Sequence, residues 1–182
     1  MTRQTTSFTP DAATEAFHLT ELPACTRLSL RVRPENAPAL AQACSVNLPE
    51  RIGARSGREG IETLCLGPDE WVLIAPPGAR GALCARFTKA YAEIPHACCD
   101  ISDREITLAL SGPGVLDMLA TGIARDLDAV AEGSGWRTLF DSVSVVLWRD
   151  GPEEFRIDVW RSLAPHLRAL LALAEAERAA GL

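Results

Sequence analysis

The stretch LGPDEWVLIAPPG, residues 66–78, returns in altered form as DGPEEFRIDVWRS, residues 150–162. An offset of 84 positions aligns Gly67 with Gly151, Pro68 with Pro152, Asp69 with Glu153 and Glu70 with Glu154. A Gly-Pro-acid-Glu turn followed by an aromatic and an alternating run predicts a hairpin turn leading into a strand. Because side chains alternate across a strand, Trp71, Leu73 and Ala75 share one face, as do Phe155, Ile157 and Val159.

The repeat extends outward in both directions. Residues 26–33, TRLSLRVR, alternate with Leu28, Leu30 and Val32 on one face, and Pro34 ends the run. A short helix is predicted over 37–46, then a glycine-rich charged loop, a strand over 62–66, the turn, and a strand over 71–75. A helix over 79–92 follows, with Leu83, Phe87 and Tyr91 in one stripe. The second half repeats this order. A strand over 105–110 leads into the turn Ser111-Gly112-Pro113-Gly114 and a helix over 115–123. After the loop AEGSGW come strands over 142–148 and 155–160, and a last helix with Ser162 as its expected cap and Pro165 in its first turn. The fold class expected is α+β, built from two β-α-β-β-α units packed about a pseudo-two-fold axis, each sheet covered on one face by its own helices. The expected division is a loose polar arm at 1–21 and one duplicated domain at 22–182, with halves at about 22–95 and 96–182.

The two copies differ on their outer strand faces. Copy one places Val72 and Ile74 there; copy two places Arg156 and Asp158. An apolar outer face needs a cover, either another part of the chain or a partner protein. Trp148 and Trp160 also lie opposite their strands' apolar stripes, which suits either a partner contact or stacking across neighbouring strands. Val72, Ile74, Trp148 and Trp160 are therefore the candidate interface residues.

Composition narrows the function classes. The chain has 182 residues, 47% of them hydrophobic, and a net charge of −6, with no basic run; nucleic-acid and anionic-membrane binding are disfavoured. No apolar stretch is long enough to span a bilayer, and the N-terminus lacks a secretory apolar region, so a cytoplasmic location is expected. The six cysteines form no CxxC pair and read as reduced, mostly buried thiols; His96 with Cys98 and Cys99 falls short of a tetrahedral metal set. None of the common hydrolase, zincin or nucleotide-loop motifs occurs. Neither His18, His96 nor His166 has a nucleophile and acid beside it, and the acids Asp100, Asp103 and Glu105 read as solvated. The candidate sets of catalytic, cofactor-binding and metal-binding residues are thus empty.

The combination of the GPDEW hairpin, Asp100 and Ser102 at a strand start, the LSGP turn at 110–113, the Asp126-Leu127 helix end and Arg161-Ser162 before the last helix resembles the gamma subunits of heterotetrameric sarcosine oxidases. The likeness covers about residues 22–171. That family in turn resembles the folate-binding domain of glycine-cleavage aminomethyltransferases, which implies a duplicated α+β domain. It also implies a complex that oxidises sarcosine to glycine, yielding hydrogen peroxide and either formaldehyde or methylene-tetrahydrofolate. FAD, FMN, NAD and the tetrahydrofolate site are then expected on larger subunits and zinc on the smallest, with a non-catalytic assembly role for this chain. No folate ligand is carried over, because the chain is too short to supply the further domains that enclose folate. Two other readings are a stand-alone folate-binding or one-carbon protein, and a self-associating binding domain.

Overall fold

The computed structural model describes residues 17–181. They form a mixed α/β fold with two five-stranded antiparallel sheets and four helices. The strands are β1 (His18–Glu21), β2 (Thr26–Val32), β3 (Arg55–Arg58), β4 (Ile61–Gly67), β5 (Glu70–Ala75), β6 (His96–Asp100), β7 (Glu105–Ser111), β8 (Ser134–Phe140), β9 (Val143–Gly151) and β10 (Glu154–Trp160). The helices are α1 (Ala37–Cys44), α2 (Arg80–Ala90), α3 (Val115–Ala120) and α4 (Ala164–Ala179). One sheet has the order β3-β4-β5-β2-β6, the other β1-β7-β10-β9-β8.

Both quoted hairpins form with the same irregularity. Gly67 pairs with Glu70 and Cys65 with Trp71, so one residue of β4 is bulged out. Likewise Gly151 pairs with Glu154 and Arg149 with Phe155. A bulge sharpens the local twist and re-aims the strand. Each bulge is flanked by a glycine, Gly67 or Gly151, packed against the glutamate that opens the next strand, Glu70 or Glu154.

Each sheet buries one face under two helices. Leu28, Leu30, Trp71 and Leu73 pack against Leu40 and Cys44 of α1 and Leu83 and Phe87 of α2. Leu108, Leu147, Phe155 and Ile157 pack against Val115 and Leu119 of α3 and Leu167 and Leu171 of α4. These are the stripes the periodicity predicts, except that Tyr91, expected in line with Leu83 and Phe87, is 59% exposed just past the end of α2. Leu64, Val72, Val146 and Trp148 make a third, smaller cluster between the two sheets. The layers therefore run helix, sheet, sheet, helix. At one side the sheets also touch through backbone: Ala54 bridges Ser134, and the Gly135 N–H donates to the Gly53 carbonyl at 3.1 Å. Side chains are excluded there, since a Cβ on Gly135 would approach the Leu147 carbonyl to 2.8 Å.

Several local expectations are corrected. The loops around 50–60 and 131–136 contain strands β3 and the start of β8. Periodicity misses both, because SGWRTLF lacks a clean alternation and RSGR is mostly polar. His18–Glu21, inside the expected arm, is a strand paired with β7; the rest of the arm, 1–16, lies outside the described residues. β6, past the expected midpoint, pairs with β2 of the first sheet. Ser162 does not cap α4, whose N-cap position is Leu163 without a side-chain hydrogen bond.

Candidate functional site

The four candidate interface residues fall in two different places. Val72 and Trp148 are buried, at 3% and 0% exposure, and Ile74 packs partly buried beside them. As surface residues they are withdrawn. The cover their apolar face needs is the other sheet of the same chain. Trp160, at 50% exposure, remains on the surface.

The seam between the sheets carries a polar set as well as that cluster. Arg27, on the polar face of β2, is 1% exposed. Its Nη2 donates to Thr107 Oγ1 at 2.6 Å and to Asp158 Oδ1 at 2.8 Å, and its Nη1 donates to the Glu105 carbonyl at 3.1 Å. The Thr107 hydroxyl donates to the same Asp158 oxygen at 2.5 Å, and the Trp148 indole N–H donates to Oδ2 at 2.7 Å. One carboxylate thus gathers three donors from both sheets. Charge burial on this scale is tolerable only when paired and hydrogen-bonded. Glu105, expected to be solvated, is buried beside Arg27.

Farther along the seam Arg55 and Arg156 lie over the Trp148 ring, with guanidinium carbons 5.3 and 4.9 Å from its centroid. Arg156 binds Asp150 at 2.7 Å and reaches Glu62 of the other sheet at 3.0 Å; Arg55 binds Asp150 at 2.8 Å and also pairs with Glu62. A second crossing joins Arg137 of β8 to Glu70 of β5 at 2.6 Å. Burial pushes the Asp150 carboxyl up, but the hydrogen bonds and charges of Arg156 and Arg55 outweigh it and leave it lowered. The Arg137 hydrogen bond lowers Glu70 against its own burial.

Chemically this seam is a clamp. A general acid or base needs a carboxyl free to exchange its proton near neutral pH. Here guanidinium partners hold Glu70 and Asp150 below the ordinary carboxylate range, and Asp158 spends its oxygens on Arg27, Thr107 and Trp148. Burial pushes the Cys44 thiol to about 11 and the Cys98 thiol to about 12, away from the thiolate a nucleophile needs. The ring of His96 is tied by Nδ1 to the Ile94 carbonyl at 2.6 Å. Among the described residues no three of His, Cys, Asp and Glu gather as a metal site.

Two surface features stand apart from the seam. Trp160 ends β10 opposite Glu105, with the Arg104 guanidinium 5.4 Å from its ring and the partly exposed Leu163 three residues on. On the far side, α2 and β6 enclose an open cleft of about 390 Å³ lined by Phe87, Tyr91, His96 and Cys98 among others. Periodicity could not single out the Arg27, Thr107 and Asp158 set. Its only signal was polar residues at matching places on strands otherwise judged to face water.

Residues 31–177 match the Sarcosine oxidase, gamma subunit family. This chain belongs to that family. The sarcosine oxidase subunit gamma of Corynebacterium sp. strain P-1 is 33% identical over 153 residues, covering 81% of this chain and 74% of the relative. That of Corynebacterium sp. strain U-96 is 32% identical over 160 residues, covering 85% and 77%. Among solved structures, a chain of the heterotetrameric sarcosine oxidase from Corynebacterium sp. U-96, in complex with pyrrole 2-carboxylate, superposes with a TM-score of 0.82 at 31% identity, covering 91% of this chain and 87% of that one. The glycine cleavage aminomethyltransferase T of Bartonella henselae shares the fold, with a TM-score of 0.65 at 15% identity over 85% of this chain and 45% of that one. The family resemblance read from the hairpin and turn motifs is borne out. Among the described residues no helix is long and apolar enough to cross a membrane.

Proposed function

We propose that this chain, the gamma subunit of a heterotetrameric sarcosine oxidase, serves its complex as an assembly subunit rather than as a catalyst. The observation that carries this is the seam. The buried ions Arg27 and Asp158 are consumed in holding two sheets together, with each Asp158 oxygen already accepting. On this reading the complex's chemistry belongs to the other subunits, which would carry FAD, FMN, NAD, tetrahydrofolate and zinc; the protein part of such chemistry is binding and orientation.

We infer further that the two sheets are copies of one unit. Their strand orders correspond when β2 is matched to β7, β5 to β10, β4 to β9, β3 to β8 and β6 to β1. Under that matching Arg27 and Thr107 are equivalent, and they touch each other. Glu62 touches Arg156, while their equivalents Val146 and Val72 share one apolar cluster. Reciprocal contacts of this kind are what a two-fold axis produces. On this reading the partners are met by the remaining outer surface, and Trp160 with Arg104 is one contact, of the residue types that dominate interfaces.

The test is purification of the tagged chain from its native cells. Co-purifying larger subunits with flavin absorption are expected. A lone colourless chain that binds tetrahydrofolate would replace this reading with a one-carbon protein, and a colourless homodimer with a self-associating domain. Trp160→Ala should shift the fold's stability by no more than about 0.5 kcal/mol and weaken assembly by about 2 kcal/mol. Unchanged assembly would remove Trp160 from the interface.

A further inference from the structure

Sheets in proteins protect their edges with charges, bulges or covering segments. Three of the four edges here are protected. β3 and β8 meet through the Ala54–Ser134 bridge and carry Arg55, Arg58 and Arg137. β1 is flanked by the ion pair between its Glu21 and Arg168 of α4, at 2.5 Å. β6 differs. Its only charged residue is the last, Asp100, which pairs with Arg80 of α2; the first four, His96, Ala97, Cys98 and Cys99, include no Asp, Glu, Lys or Arg.

The hydrogen-bond pattern says which groups of β6 are left over. Val32 N–H donates toward β5, to the Asp69 carbonyl, and Ile101 N–H donates to the Arg27 carbonyl of β2. Bonding alternates along an antiparallel pair, so Ala97 and Cys99 face β2, through Arg31 and Ser29. The backbone groups of His96, Cys98 and Asp100 point outward, with no partner among the described residues. The cleft of about 390 Å³ opens beside the same residues, walled by Phe87, Tyr91 and His96. The His96 ring stands edge-on to both neighbours, at 5.6 and 5.7 Å.

An unpaired strand edge beside an aromatic pocket is the pair of features that strand addition uses: backbone bonds hold an added strand and the pocket accepts one of its side chains. We propose that β6 receives an extended segment of a partner subunit as a sixth strand of the first sheet, with an apolar side chain of that segment in the Phe87–Tyr91–His96 cleft. The occupant is a polypeptide because hydrogen-bond complementarity demands alternating N–H and C=O groups at strand spacing. This rests on the assembly role proposed above.

The experiment is residue-resolved hydrogen exchange on the assembled complex. The amides of His96, Cys98 and Asp100 are expected to exchange more slowly than free amides by about a hundredfold or more, alongside Ala97 and Cys99. A complex in which those three exchange freely while Ala97 and Cys99 are protected overturns this proposal and leaves the assembly role standing. A chain that purifies without larger subunits overturns both. A photo-crosslinking amino acid at Cys99, which is exposed, identifies the neighbour: another subunit is expected. A second copy of this chain, its own residues 1–16, or no neighbour at all overturns the proposal. Cys98→Pro removes one outward N–H and is compatible with an edge strand; it should weaken assembly about tenfold, while Cys98→Ala should not. Normal assembly of Cys98→Pro also overturns it, and if that variant fails to fold the exchange measurement on the unaltered complex decides.

Discussion

The seam between the sheets and the faces under the helices are built differently. The seam sets Leu64 and Val72 against Val146 and Trp148, and Arg27 and Glu62 against Asp158 and Arg156. Each sheet's other face, under its helices, is mostly apolar, with Thr26 and Thr63 buried in the first and Arg149 in the second, whose guanidinium donates to the Leu127 and Val130 carbonyls at 2.6 and 2.7 Å. The helix-covered faces are held mainly by buried apolar area, and volume-conserving apolar swaps there cost little. The seam is more exacting. It buries charge, so only an alignment that brings Arg27 to Asp158 and Arg156 to Glu62 avoids an unpaired ion. The apolar half supplies adhesion and the polar half supplies register.

The strongest way to break this contrast is to charge the apolar side. Val72→Asp with Ile74→Asp places two carboxylates against Leu64, Val146 and Trp148, without new cations to meet them. Burying each unpaired costs several kcal/mol, comparable with a domain's whole stability. The doubly substituted chain should lack a cooperative unfolding transition in calorimetry. A fold as stable as the unaltered one would mean the sheets are not sealed at Val72. Next in size is Asp158→Ala, which leaves the buried Arg27 without its carboxylate and the Trp148 N–H without an acceptor. A loss of about 3–5 kcal/mol is expected, read from urea denaturation followed by tryptophan fluorescence. A loss below about 1 kcal/mol, the size of an ordinary hydrogen bond, would show that water already reaches the seam.

The same contrast explains what could be read in the chain beforehand. The helix-covered faces were legible, because Leu28, Leu30, Leu73 and Phe155 obey the strand period and Leu83, Phe87, Leu167 and Leu171 the helix period. The repeated hairpin was legible because a bulge with glycine in it constrains residue type locally. The seam was not. Val72 and Trp148 could be recognised as needing a cover, but alternation says only which face a side chain is on, never what that face meets. Arg27 and Asp158 look on their strands like any solvated face, and their pairing spans 131 positions. Strand β6 suffered the same way. Its cysteines direct attention to metal chemistry, while its consequence lies in the backbone, which sequence does not display.

The mildest prediction sharpens the polar half. Two of its carboxyls, Glu70 and Asp150, lie lowered from ordinary values of 4.5 and 3.8. For Glu70 the Arg137 hydrogen bond leads and outweighs burial; for Asp150 burial raises the value, but Arg156 and Arg55 more than offset it. A carboxyl whose folded value is depressed binds protons more readily when unfolded. Its stabilisation is therefore complete above the ordinary value and drains away as pH falls toward the folded one. Stability should be nearly flat from pH 7 to about pH 5 and decline below about pH 4. Glu70→Gln keeps the shape, loses the charge and should shallow that decline, with a small loss at pH 7. Thermal melts of the two proteins across this range make the comparison. If both fall in parallel, the Arg137–Glu70 crossing holds nothing, and the register rests on Arg27, Asp158 and the Arg156 cluster alone.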